Sequence, residues 1–211
     1  MKFFIRTAFL IFLGIHSIAA QLNVQHDTLQ WHTEKDFTVQ GKVREAGTLP
    51  FQRFPAEMQS KVREPVWNLS MNSAGLYVDF YTNSPTVEVK YEVEGELAFP
   101  HMPATGVSGV DLYALEKSGN WLWVRGNYHF GDTISYKFSG FKSNLADNLR
   151  YFRLYLPLYN RVKWLKIGTD SDATIRNIDS ESKQKPIVVY GTSIAQGACA
   201  SRAGMAWSNI L

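Results

Sequence analysis

Thr86-Val87-Glu88-Val89-Lys90-Tyr91-Glu92-Val93 alternates apolar and polar residues over its whole length. Successive side chains of an extended chain point to opposite faces, so this octet offers one face to a core and one to water. Before it, residues 75–81 form a second strand-like run, and the Asn83-Ser84-Pro85 breaker between the two predicts a hairpin. Beyond it, Trp121-Leu122-Trp123-Val124 and residues 128–130, 134–138, 151–156 and 162–167 are rich in aromatic and β-branched side chains. Ser118-Gly119-Asn120, Gly131-Asp132, Ser139-Gly140 and Tyr159-Asn160 separate them with turn chemistry. Short strands at near-regular spacing, without helical periodicity between them, predict a mainly β fold: an antiparallel β-sandwich or jelly roll.

The pattern changes near residue 180. Ser180 to Lys185 is polar, and Pro186 suits the edge of a strand rather than its interior. Ile187-Val188-Val189-Tyr190 is an unbroken apolar run of the kind buried on both faces of a parallel sheet. Gly191-Thr192-Ser193 breaks it, and Ala206, Trp207 and Ile210 then fall at helical spacing. Strand, tight turn and helix open an α/β unit. The expected organisation is a leader over residues 1–20, a sandwich over 21–180, a linker over 181–186 and an incomplete α/β domain from 187 to 211.

The leader reads as an export signal. Lys2 and Arg6 form its basic end, residues 8–15 an apolar run too short to span a bilayer, and residues 17–20 a small-residue cleavage region. This predicts a secreted or periplasmic protein with no membrane span after cleavage. Of 22 basic residues two fall in the leader, leaving 20 against 19 acidic ones. That balance argues against nucleic acid or an anionic membrane as the main partner. The single cysteine, Cys199, cannot form a disulfide within the chain, so the fold must rest on its core. No His, Cys or Asp cluster has metal-ligand spacing, and no cofactor is expected.

Ser193 occupies a setting suited to a nucleophile. A serine on a sharp turn between a buried strand and a helix projects from the sheet rim, and the following amides and helix dipole can meet an oxyanion. Gly191 would allow the tight turn and Gly197 a second close approach. The competing role is a helix cap. A phosphate-binding loop needs Lys and then Ser or Thr after its last glycine, whereas Ala198 and Cys199 follow Gly197. The α/β-hydrolase elbow needs glycine two residues after the serine, where this chain has Ala195.

Tyr190-Gly191-Thr192-Ser193-Ile194-Ala195-Gln196-Gly197 resembles the first block of the SGNH (GDSL-type) hydrolases, with Thr192 where the usual motif has Asp. Cys199 to Trp207 is similar to a subgroup of secreted bacterial members. That subgroup carries an N-terminal β-domain with a Gly-x-Asp-Leu-Tyr signature, matched by Gly109-Val110-Asp111-Leu112-Tyr113. Pro65-Val66-Trp67-Asn68-Leu69-Ser70, Ser73-Ala74-Gly75 and Tyr155-Leu156-Pro157-Leu158-Tyr159 also look like that domain. The resemblance implies a flavodoxin-like catalytic domain and acyl transfer from Ser193, whose own amide joins the oxyanion hole. It also implies that the remaining oxyanion donors, the general base and its Asp come from blocks after Leu211, so that this chain alone is inactive. Esters of small molecules or glycans are the substrates it suggests.

Other candidates carry less. His101 lies in a Pro- and Gly-rich loop, residues 99–106, that could overhang a neighbouring active site or simply bond backbone. His26, His32 and His129 have no setting that marks a base. Trp121 and Trp123 share one strand face, a pattern commoner in a sandwich core than in a sugar-stacking platform. A platform would make the sandwich a non-catalytic carbohydrate-binding module; it could equally be a structural spacer. Asp111 reads as an acceptor for turn amides, and Cys199 as a small packed residue. Asn68-Leu69-Ser70 is a glycosylation sequon in a strand-like context.

Overall fold

The structure, a computed structural model, describes residues 28–42, 48–141, 149–179 and 187–211. The expected leader, His26 and the 181–186 linker lie outside them. Two antiparallel sheets face each other. One has the order β1–β10–β4–β8–β7, formed by Leu29–Thr33, Val162–Asp170, Thr86–Val93, Ile134–Ser139 and Gly126–His129. The other runs β11–β3–β9–β5–β6, formed by Ile175–Asn177, Tyr77–Thr82, Arg150–Tyr155, Asp111–Leu115 and Trp121–Val124, with the short β2 (Val39–Gln40) also on β3.

The alternation in β4 works as expected. Val87, Val89 and Tyr91 are buried among Ile134, Tyr136 and Phe138 of β8 and Leu165 and Ile167 of β10. The opposite sheet contributes Val78, Phe80, Leu112, Phe152 and Leu154 to the same core. On the wet face, Glu88 pairs with Lys137 directly across the ladder, at 3.1 Å.

Three expectations are corrected here. Residues 75–81 and 86–93 do not form a hairpin, because β3 and β4 lie in opposite sheets and Asn83-Ser84-Pro85 carries the chain between them. Each strand has its own apolar face, and facing across the core buries both. Ser84 is buried at this crossing, donating to the Thr86 carbonyl and the Asp170 carboxylate. Trp121 and Trp123 lie outside the core, 36% and 44% exposed. Their faces are covered by guanidinium groups instead, Arg153 at 4.9 Å and Arg202 at 4.3 Å from the ring centroids. Asn68-Leu69-Ser70 lies on a helix, α1 (Glu64–Ser70), which Pro65 starts at a position where its missing N–H costs nothing.

A second apolar cluster joins one end of the sandwich to residues 193–211. Ala74, Met102, Val107, Tyr155 and Leu158 bury Ala203 and Ala206. Ile187-Val188-Val189-Tyr190, by contrast, is neither a strand nor buried: Ile187 is 93% and Tyr190 81% exposed. A central parallel strand owes its burial to neighbouring strands, and among the described residues none pairs with this run.

Candidate active site

Ser193 begins a four-residue helix, α3 (Ser193–Gln196), and is exposed. Thr192, extended at φ −95°, ψ −157°, precedes the helix as its cap residue, so Ser193 is not the cap. The expected helix is also corrected: a single turn adds little dipole. The chain reverses at Gly197, continues through a short 3₁₀ turn at Ala203–Met205, and ends in α4 (Trp207–Ile210). What remains from the expected oxyanion setting is the individual amides of the first turn.

Two glycines of this segment leave no room for a side chain. A Cβ on Gly191 would lie 2.7 Å from the Ala195 methyl group. Gly197 has φ +96°, a left-handed conformation that ends α3, and a Cβ there would lie 2.8 Å from the Ala206 methyl group. Cys199 is exposed and left-handed at φ 62°, not packed away.

The Ser193 backbone is anchored from both sides. Its carbonyl accepts the Ala198 N–H at 2.9 Å and the Tyr159 hydroxyl at 3.0 Å. The Ile194 carbonyl accepts the Trp207 indole N–H at 2.9 Å. Gln196 is buried and donates to the Leu158 carbonyl at 3.1 Å, while accepting from Arg53 at 3.4 Å. Arg53 in turn donates to the carbonyls of Leu69, in the last turn of α1, and Asn72, just beyond its end. Burial lowers the Arg53 pKa and raises that of Tyr159.

Asp111 is the second anchor. Its buried carboxylate accepts the Trp123 indole N–H at 2.7 Å, the Gly204 N–H at 3.1 Å and the Arg202 Nε at 3.2 Å. Burial nevertheless pushes its pKa above the ordinary carboxylate value, against the pull of these three donors. The expected turn-amide role is thus met by one amide, Gly204, and extended by two side chains. Tyr113 packs its ring over Gly204, where a Cβ would come within 2.3 Å. Thr105, on α2 (Ala104–Val107), donates to the Ser201 carbonyl at 2.6 Å.

His101 is exposed and stacks on Phe99 at 5.9 Å, and Phe99 meets Tyr159 edge-on at 5.9 Å. His101 is therefore in the neighbourhood of Ser193, two rings removed from it. His32 and His129 lie on β1 and β7, outside this cluster. Among the described residues, no group of three or more His, Cys, Asp or Glu side chains could hold a metal ion, and no helix is long and apolar enough to cross a membrane.

Sequence reasoning missed Tyr159, Gln196, Arg53 and Arg202. Gln196 and Tyr159 stood inside quoted motifs, but nothing in the spacing signalled that Gln196 meets Leu158 or that Tyr159 meets Ser193.

The family model GxDLY, the N-terminus of SGNH-hydrolase-type esterases, matches residues 29–175. The chain belongs to this esterase family. A second model, the GDSL-like lipase/acylhydrolase family, matches residues 184–211. Among solved structures, a Bacteroides ovatus protein designated for its likeness to GDSL lipases is 34% identical, with a TM-score of 0.78 over 87% of this chain and 53% of that one. The chain thus spans about half the length of that neighbour. The salicylyl-acyltransferase SsfX3 from a tetracycline biosynthetic pathway aligns over 72% of this chain and 42% of its own, at 18% identity and a TM-score of 0.47, too distant to bear on function. No curated protein matches the chain. In GxDLY terms, the signature is now a set of contacts: Asp111 and Tyr113 receive residues 202–204, while Leu112 holds the strand in the core.

Proposed function

We propose that this GxDLY esterase chain carries the nucleophile of a secreted serine esterase, and that Ser193 is that nucleophile. The observation that carries the reading is the exposed Ser193 at the head of a backbone turn tied to the sandwich through its own carbonyl. The hydroxyl attacks an ester carbonyl, forming an acyl-enzyme and releasing the alcohol; water then attacks the acyl-enzyme and returns the serine. The Ser193 amide stabilises the oxyanion of each step. Among the described residues no imidazole lies on the Ser193 hydroxyl, so we place the general base elsewhere in the full enzyme. Acyl groups on glycans are the substrate class we favour, by analogy at the level of the family. The Lys2–Ala20 pattern supports export.

A carbohydrate-binding role for Trp121 and Trp123 has less support, since the Trp123 indole N–H is already bonded to Asp111 and both rings lie beneath arginines. The test is turnover of p-nitrophenyl acetate by the full-length enzyme. Ser193→Ala should abolish turnover without changing the melting temperature, and residues 28–211 alone should give none. Unchanged turnover in Ser193→Ala would refute the assignment.

A further inference from the structure

The Tyr159 hydroxyl is the one side-chain donor from the sandwich that reaches the backbone of Ser193 itself among the described residues. It donates to the Ser193 carbonyl at 3.0 Å, alongside the Ala198 N–H at 2.9 Å. The Gly197 and Ala198 N–H groups hold this carbonyl from within its own turn, and the Tyr159 hydroxyl ties it to the sandwich. The peptide plane that contains it sets the direction of the Ile194 N–H, and the plane before Ser193 is held in turn by the Gln196 N–H on the Thr192 carbonyl at 3.2 Å, so ψ of Ser193 is set between them. With ψ fixed, the Cα–Cβ bond of Ser193, and so the arc its hydroxyl can sweep, is fixed as well.

Tyr159 is itself well supported. Its neighbours Leu158 and Asn160 are buried, and Asn160 bonds Gly95, Glu96 and Ser108. Its own N–H donates to the Val107 carbonyl at 3.0 Å, and its ring meets Phe99 edge-on. Little of this framework would move if the hydroxyl alone were removed.

We propose that Tyr159 is a positioning residue through which the β-sandwich aims the Ser193 nucleophile. The inference rests on Ser193 being the nucleophile and adds to it a reason for the sandwich to be there: a single-turn helix cannot hold a serine still unaided. Displacing a reacting group by a fraction of an ångström lowers the rate of the chemical step while leaving substrate affinity in place.

The experiment uses the full-length enzyme and two readouts: hydrolysis of p-nitrophenyl acetate and the rate of Ser193 labelling by a fluorophosphonate probe. Tyr159→Phe keeps the ring and its contact with Phe99 and loses only the donor. It should lower kcat and the labelling rate about tenfold or more, leave KM within about twofold, and leave the melting temperature unchanged. Wild-type kcat and labelling rate in Tyr159→Phe, with Ser193→Ala inactive, would overturn the positioning role alone. A fall in kcat matched by an equal rise in KM, or by a lower melting temperature, would overturn it too, as the mark of a merely structural residue. Activity in Ser193→Ala would overturn both readings together.

Discussion

At the scale of single residues, Asp111 joins the signature strand to its neighbour β6 and to residues 202–204. One of its three donors comes from β6 and the other two, Arg202 and Gly204, from the segment after Cys199, 91 and 93 positions away. Burial raises its folded-state pKa above the ordinary value of 3.8, so protonation favours the folded chain. The contribution is complete below the unfolded value and is lost as pH rises through the folded one. Asp111→Asn removes this dependence. The melting temperature of the wild type minus that of the variant should therefore widen as pH falls from 7 towards 4; a constant difference would contradict the assignment. The Asp of the signature was visible in the sequence as an acceptor, but its partners were not, because sequence spacing carries no information on contacts 90 residues apart.

Among elements, the strands were the most legible part of the chain. β4 and β6 appear where alternation and aromatic content place them, since a half-buried strand writes its two faces into successive residues. What alternation could not supply was the partner. β3 and β4 read as a hairpin because they are adjacent in sequence, yet they pair in different sheets. Nor could it say which face of β6 looks inward, because aromatic residues suit a core and a guanidinium-covered surface alike. The end of the chain failed differently. Ile187 to Tyr190 reads as a buried strand, and burial belongs to the neighbours rather than to the run itself. Helix α2 illustrates a contact with no sequence signal. A Cβ on Gly106 would lie 2.2 Å from the Ala200 carbonyl oxygen, and backbone cannot rotate away as a side chain can. Gly106→Ala should loosen residues 197–206 from the sandwich, seen as faster proteolysis there with the β-sheet circular dichroism unchanged. Equal proteolysis rates would mean that this contact does not hold residues 197–206 to the sandwich.

For the molecule as a whole, the second apolar cluster makes residues 193–211 part of the sandwich's own stability. Removing them would expose Leu158, Val107, Met102 and Tyr155, all buried here. Losing that cover costs about 3 kcal/mol or more, at roughly 1.5–3 kcal/mol for each large side chain fully re-exposed. At about 3 °C per kcal/mol for a domain of this size, a chain ending at residue 179 should melt on the order of 10 °C lower than residues 28–211. Calorimetry of the two would measure this, and equal melting temperatures would mean that the cluster adds nothing. The exposed apolar run at 187–190 is the complementary observation: one side of the Ser193 segment is finished by the sandwich, and the other presents Ile187, Tyr190 and Ile194 to solvent.

The contact of Tyr113 with Gly204 also bears on how such proteins diverge. One residue belongs to the signature of the β-domain and the other to the block that follows Ser193, and no methyl group fits between them. A side chain at position 204 would require the Tyr113 ring to move or become smaller, so the two positions fit as lock and key. Shuffling a foreign sandwich onto residues 184–211, or the reverse, would join mismatched teeth, and the surviving chimaeras would be those that carry both across together.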